Sequence, residues 1–403
     1  MRKLKTRFGA AFTNVKPWDI SLKKRIKILY EARENGMKTA VYLYESPDSS
    51  TFRYRAYNMC QALEFGKKWR GSYFFSYELE KLREYFDFIN LAVAVRFRWT
   101  EELDLFIKEC GEHSVRILFD LDDLVFDTGR IKFFLNTLGE NLSDENTCNF
   151  WFAYFSRINS AASLCDALLS TNEFLASRLK RHYKKPSFVI RNFLNEEQIS
   201  VSRELYEQKK ARSYSHPFVI GYFSGSHSHS HDLDVAAPQI ARLMEENKEI
   251  KFKIAGYIKM PEALKPFSKE RVIMVPFKDF RELQKETSEV DLNIAPLIDN
   301  EFTNCKSELK YFEAAAAGTV TCASPVFSFK KAIVHGKNGY LCGSGGWYSV
   351  IKEIYKKGVD AKIVQNAKKH ALLHYSPENQ YENIEKVLEN ACAIKGSNKR
   401  RMK

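Results

Sequence analysis

The chain has 403 residues, of which 44% are apolar and 14% aromatic, enough for two or three domains of about 100–200 residues, each with its own core. Its formal charge of +13 resides at the ends: residues 1–28 carry nine Lys/Arg against one Asp, residues 395–403 carry five Lys/Arg and no acid, and residues 29–394 are neutral. A neutral body argues against a nucleic-acid enzyme, no stretch approaches the roughly 18 apolar residues of a membrane span, and eight cysteines without a C-x-x-C pair read as reduced thiols.

In chain order, Met1 to Phe12 is basic and lacks the apolar core of a signal peptide, so the expectation is a cytoplasmic protein, soluble or peripheral at the inner face of the plasma membrane. Ser21 to Asn35 reads as a helix with Leu22, Ile26 and Leu29 on one face and Lys23, Lys24, Arg25 and Lys27 on the others. Two readings stay open: residues 1–28 meet an anionic membrane surface, or the helix packs on the first domain with its lysines in water. Short apolar runs then alternate with helical patterns, which predicts parallel sheets covered by helices. Strands are expected at Thr39–Tyr44, Tyr73–Tyr77, Phe88–Val95, Arg116–Asp120, Ala167–Ser170 and Phe188–Ile190.

Between the first strands lies DSSTFRYRAYNMCQAL, a polar loop leading into an amphipathic helix. Arg53 and Arg55 stand at the helix entrance, placed to hold an anionic or hydroxyl-rich acceptor, or to pair with a surface acid. The run FDLDDLVFD sets Asp120, Asp122, Asp123 and Asp127 just past a buried strand. Such carboxylates bind hydroxyls, orient arginines, act as a base (Asp122 being the candidate) or hold a divalent ion, and they also serve as turn and cap residues. Arg96, with Arg98, ends the third strand and completes a charged rim.

Asn195 to His216 is polar and ends before Pro217, the pattern of a linker. Further strands are expected at Phe218–Phe223, Lys251–Ala255, Val272–Val275, Leu292–Ala295 and Val320–Ala323. After the first of these comes SGSHSHSHDLD, where Gly225 permits a tight turn, Ser226 offers a hydroxyl and an amide, and His227 or His231 can donate to an anion. Three alternating histidines near Asp232 and Asp234 also suggest a metal site, but zinc spacings need helical pairs or a distant partner, so none is assigned. Farther on, KSELKYFEAAAAGTVTCAS describes a polar turn, a helix from about Glu308 to Ala317 capped by Ser307, a left-handed stop at Gly318 and a buried strand. Lys306 and Lys310 add charge to the free N–H groups of Ser307, Glu308 and Leu309, which makes a phosphate cradle. Glu313 lies a turn later, placed to accept from sugar hydroxyls. A nucleotide sugar is the simplest ligand with both needs.

These motifs resemble the GT-B glycosyltransferases of family 4, the group 1-like bacterial enzymes, strongly over about residues 218–341 and recognisably in SSTFRYR and DLDDLVFD. The resemblance implies an α/β fold of two Rossmann-like, doubly wound domains facing across a cleft: residues 1–195 for the acceptor, 217–376 for the nucleotide sugar, a helix at 377–394 crossing back, and a basic tail at 395–403. It further implies retaining sugar transfer from a nucleotide-sugar co-substrate to a glycan or lipid-linked glycan, as in surface polysaccharide or lipopolysaccharide assembly, with no metal, no other cofactor and no nucleic-acid partner. Glu313, Ala314 and Gly318 match the second half of the family's E-x7-E motif, which assigns Glu313 to the nucleotide ribose; Arg53, Arg55, Arg96, Asp120 and Asp123 fall on the acceptor side. Cys305 stands where the family commonly has the first glutamate, and Ser226 and His231 stand near its usual Arg and Lys, so this is a divergent branch in which Lys306 and Lys310 supply the diphosphate's counter-charge. A nucleotide-sugar epimerase or phosphorylase of the same architecture, and a non-enzymatic basic scaffold, are the rival readings.

Overall fold

The computed structural model describes residues 16–141, 143–211, 217–225 and 230–394. The basic tail at 395–403, the first half of the 1–28 segment, Ser226 and His227 fall outside them. Two compact units divide the chain: an N-terminal unit whose described part is residues 16–136, 140–193 and 377–394, and a C-terminal unit of Leu194–Ser376 with Thr137–Gly139.

The N-terminal unit is built on β1 (Lys38–Tyr44), β2 (Trp69–Phe75), β3 (Leu91–Val95), β4 (Arg116–Leu121), β5 (Ala167–Ser170) and β6 (Ser187–Val189). They pair in the order β2-β1-β3-β4-β5-β6, all parallel, with Ala40 of β1 opposite both Gly71 and Leu91. All five residues of β3 are buried, the continuous apolar run expected of a strand covered on both faces. The second strand begins earlier than its apolar pattern suggests, because Trp69 pairs with Lys38. Gly71 lets it approach closely: a Cβ there would come within 2.7 Å of Cys60 Cα. Helix α1 (Leu22–Glu34), capped by Ser21, buries Arg25, Ile26, Leu29 and Ala32. The Arg25 guanidinium donates to Tyr73 O (2.8 Å) and Glu78 Oε2 (2.7 Å), tying α1 to β2. The apolar stripe of α1 is therefore spent on packing, while Lys23, Lys24 and Lys27 remain in water. Helix α2 (Glu145–Leu164), with Asp144 as its cap, covers the sheet through Trp151, Phe155 and Ile158.

The C-terminal unit holds β7 (Phe218–Ser224), β8 (Ile250–Gly256), β9 (Val272–Val275), β10 (Leu292–Ala295), β11 (Val320–Ala323) and β12 (Tyr340–Leu341), parallel in the order β12-β11-β10-β7-β8-β9. The two-residue β12 leaves too short an apolar trace to be read from sequence. The segment read as a linker is instead helix α3 (Glu196–Lys210), closed by a capping box between Asn195 and Gln198. Its buried face is Gln198, Ser202 and Leu205, so two of three core-facing positions are polar and the apolar period is hidden. Helices α4 (Phe280–Ser288), α5 (Leu309–Ala316) and α6 (Ala361–Tyr375) complete the layers used below. Helix α7 (Tyr381–Cys392) belongs to the N-terminal unit, where Glu385 accepts from the Lys68 and Trp69 amides (3.1 and 3.2 Å) and Glu389 from Trp69 Nε1 (2.8 Å).

Both sheets are doubly wound, each reversing strand order once: between β1 and β3 in one, between β7 and β10 in the other. Open α/β sheets bind ligands at the carboxyl ends of the strands beside that reversal.

Candidate functional site

At the reversal point of the C-terminal unit, α5 follows β10 and starts one residue later than expected. Leu309 is its first residue and Glu308 its cap, with no side-chain capping bond, so Ser307 does not cap the helix. The helix ends at Ala317 and Gly318, whose φ of +77° is left-handed. A Cβ on Gly318 would also lie 2.4 Å from the Tyr206 ring, so both conformation and space demand glycine there.

Lys310 lies in the first turn of α5. Its ammonium is buried, 4.1 Å from the centroid of the Tyr222 ring on β7, and finds no hydrogen-bond acceptor among the described residues. Burial lowers it from its ordinary 10.5 to about 8, with Asp232 pulling it back up and Lys306 pushing it further down. Asp232 is itself held at the reversal point, where its Oδ1 accepts from the Ile298 amide at 3.2 Å. Lys306 stands 4.2 Å from the Phe302 ring centroid. Two ammonium groups on aromatic faces, at the amino end of a helix, form a cationic pair suited to a multivalent anion. The backbone beneath is fixed by Asn293, whose amide donates to Lys310 O (3.0 Å) and Thr321 Oγ1 (3.0 Å).

Glu313 is buried one turn further on. Its Oε1 accepts from Gln198 Nε2 of α3 at 2.9 Å, and its carbonyl accepts from Gln284 Nε2 of α4 at 3.2 Å. Glu308 is 4% exposed and its Oε1 accepts from the Tyr375 hydroxyl of α6 at 2.8 Å. Cys305 is fully buried. Gly225 has no left-handed φ, and among the described residues no neighbour meets a Cβ placed there. His231 is exposed, with Nδ1 3.7 Å from Asp234 Oδ2. Among the described residues no His, Cys, Asp and Glu cluster has the arrangement of a metal site.

In the N-terminal unit the structure separates the residues read as acceptor-binding. Arg55 and Asp120 are core, not rim: their side chains are 0% and 1% exposed, with Arg55 Nη2 2.9 Å from Asp120 Oδ2. Arg55 Nη1 also donates to Ile190 O (2.6 Å) and Asn192 Oδ1 (3.2 Å), so β4, β1's following helix and the β6 end are pinned together. Burial pushes the Asp120 carboxyl up against the pull of Arg55. Arg53 is also buried, its Nε donating to Ser49 O at 2.8 Å, inside a π-helical turn over Arg53–Tyr57. Asp123 and Asp127 are turn and cap residues, accepting from the Leu124 and Gly129 amides.

Arg96 and Asp122 do meet at the reversal point. Arg96 adopts φ +42°, a strained conformation for a non-glycine residue, and strain of this kind collects at functional positions. Its guanidinium donates to Asp122 Oδ1 (3.1 Å) and to the Tyr154 hydroxyl of α2 (2.8 Å). Asp122 Oδ2 accepts from Thr51 Oγ1 at 2.8 Å. Tyr154, Gln198 and Tyr375 carry no motif of their own, and Thr51 of SSTFRYR gains its place through Asp122; only partners in space single these residues out.

Residues 217–356 match the family described as glycosyl transferases, group 1. No curated protein matches the chain. Among solved structures, HepE of Anabaena in complex with UDP and glucose is similar with a TM-score of 0.58 at 13% identity, covering 88% of this chain and 100% of that one. A glycosyltransferase from Rickettsia africae gives 0.59 at 11% identity (89% and 100%) and the sucrose-phosphate synthase of Thermosynechococcus elongatus 0.55 at 12% (89% and 100%). At such identities the likeness speaks for the fold, and the sequence match speaks for the domain. The chain has the GT-B fold of these structures, and its residues 217–356 match the group 1 glycosyl transferases.

Proposed function

We propose that the protein moves a sugar from a nucleotide-sugar donor to a glycan or lipid-linked glycan in bacterial surface polysaccharide or lipopolysaccharide assembly, with retention at the anomeric carbon and no cofactor beyond the donor. The observation that carries this reading is Lys310, a buried ammonium at a helix start with no acceptor among the described residues. A diphosphate supplies the missing acceptors. As the bond from the anomeric carbon to the β-phosphate oxygen breaks, negative charge grows on that oxygen, and Lys306, Lys310 and the first N–H groups of α5 stabilise it. The acceptor oxygen forms the new bond to the same carbon and its proton passes to the departing diphosphate. Glu313 holds the ribose. On the acceptor side, Asp122, oriented by Arg96 and Thr51, aligns an acceptor hydroxyl. Attraction to an anionic membrane rests on the exposed Lys23, Lys24 and Lys27 of α1 and is electrostatic, since the apolar stripe of that helix is buried. HepE was solved with UDP-glucose, which makes that donor the first to try.

The test is a binding and turnover panel. One of the UDP-, GDP-, ADP-, CMP- or dTDP-linked compounds is expected to raise the melting temperature, and Lys306→Ala to lower turnover by about 10²–10³-fold, the effect of one preorganised electrostatic group. Absence of binding by all five, or a Lys306→Ala enzyme as fast as wild type, overturns the reading.

A further inference from the structure

The long segment of the C-terminal unit, Leu194–Ser376, begins after Phe193 and ends before Pro377. These two points lie one hydrogen bond apart, because the Leu194 amide donates to Tyr375 O at 2.8 Å. Each point is also wired to a different carboxylate of the α5 segment. On the leaving side, Tyr375 ends α6 with its ring stacked on Phe312 (4.6 Å between centroids, 22° between planes) and its hydroxyl donating to Glu308 Oε1 at 2.8 Å. Glu308 is the cap residue whose carbonyl accepts from the Tyr311 amide at 2.9 Å, so its backbone belongs to the first turn of α5. On the entering side, Asn195 caps α3 by accepting from the Gln198 amide at 2.7 Å, and Gln198 reaches Glu313. A carboxylate so close to an anion cradle opposes the anion, yet Glu308 is buried there and bound to the residue that closes the unit. Holding a phosphate needs no such link; transmitting its presence does.

We propose that Tyr375 is a positioning residue that couples occupancy of the α5 cradle to the two ends of the Leu194–Ser376 segment. A diphosphate on the first turn of α5 holds Glu308 in place; Glu308 holds the Tyr375 hydroxyl; and the Tyr375 carbonyl holds the Leu194 amide. The proposal rests on α5 being the donor diphosphate site.

Amide hydrogen exchange on the full chain, with and without whichever of UDP, GDP or ADP raises the melting temperature, tests both. In wild type the nucleotide is expected to slow exchange of the Tyr311 and Phe312 amides and, by about fivefold or more, of the Leu194 amide. In Tyr375→Phe, which keeps the ring stack and loses the hydroxyl, the α5 amides still slow on binding and the Leu194 amide no longer does. Glu308→Ala cuts the same bond from the other side and gives the same loss, whereas Glu308→Gln retains an acceptor and retains the response. If no nucleotide slows the α5 amides, the donor reading falls and the proposal with it. If α5 responds while Leu194 does not, or if the Leu194 response survives in Tyr375→Phe or Glu308→Ala, the coupling alone is overturned. A residue that merely fills the core would change exchange equally with and without nucleotide.

Discussion

Replacing Lys310 by Met separates what a site costs the fold from what it does for a ligand. The folded protein lowers this ammonium from 10.5 to about 8, and at 1.36 kcal/mol per pH unit that displacement corresponds to about 3 kcal/mol of destabilisation while the group is charged. The sign follows from proton counting: between about pH 8 and 10.5 the unfolded chain holds the proton that the folded chain has lost, so stability without ligand rises with pH across that window and the penalty is complete below it. Methionine keeps the stem and removes the charge. After allowance for relaxation around the side chain, Lys310→Met is expected to stabilise the ligand-free protein by about 1–2 kcal/mol at pH 7, roughly 2–8 °C in the melting step of the C-terminal unit. The same change removes a charged hydrogen bond to the diphosphate, about 1.5–3 kcal/mol, and so weakens nucleotide binding by about 10–150-fold. Calorimetric melting and titration with UDP at pH 7 measure both. In wild type, UDP binding at pH 8 should take up a fraction of a proton as Lys310 recharges beside the phosphates, visible as a dependence of the binding heat on buffer ionisation. A Lys310→Met protein that melts lower than wild type and binds UDP as tightly would refute the reasoning.

Glu313→Ala is expected to weaken UDP binding about tenfold or more, while leaving the affinity for inorganic pyrophosphate unchanged; equal losses for both would show that the residue acts on the helix rather than on the ribose. Arg55→Ala leaves Asp120 buried without its partner and should destabilise the N-terminal unit by about 3–5 kcal/mol, read by denaturant unfolding, and a folded variant of normal stability with an altered acceptor KM would restore Arg55 to the rim. Arg96→Ala should raise the acceptor KM and leave the affinity for UDP within about twofold, since its partners Asp122 and Tyr154 belong to the N-terminal unit. Gly318→Ala should be strongly destabilising through strain at positive φ and collision with Tyr206, and thermal melting close to wild type would contradict that geometry.

The α/β class, eleven of the twelve strands and the cationic start of α5 were legible in the chain, because a parallel strand buried on both faces is a continuous apolar run and a phosphate cradle is a local arrangement of a turn, a helix start and two lysines. Gly318 was legible for the same reason: the φ +77° of a helix stop is a property of one residue. Helix α3 was not, since its buried face is Gln198, Ser202 and Leu205, and polar residues satisfied by partners 115 and 82 positions away, Glu313 and Gln284, give no apolar period.

Charge position was the other limit. Sequence places Arg53, Arg55, Arg96 and the aspartates at strand ends, yet whether an arginine there faces a ligand or a buried acid depends on which strand lies beside it. The parallel pairing of β3 with β4 carries Asp120 to the end of the sheet, and Arg55 closes over it; Arg96, two strands from β2, meets Asp122 instead. Local chemistry along the chain thus determined the kind of fold. Only the tertiary structure decided which charges are spent inside the protein, because burying an ion is tolerated only where a partner from a distant segment is brought within hydrogen-bond distance, and that distance is not a property of the sequence order.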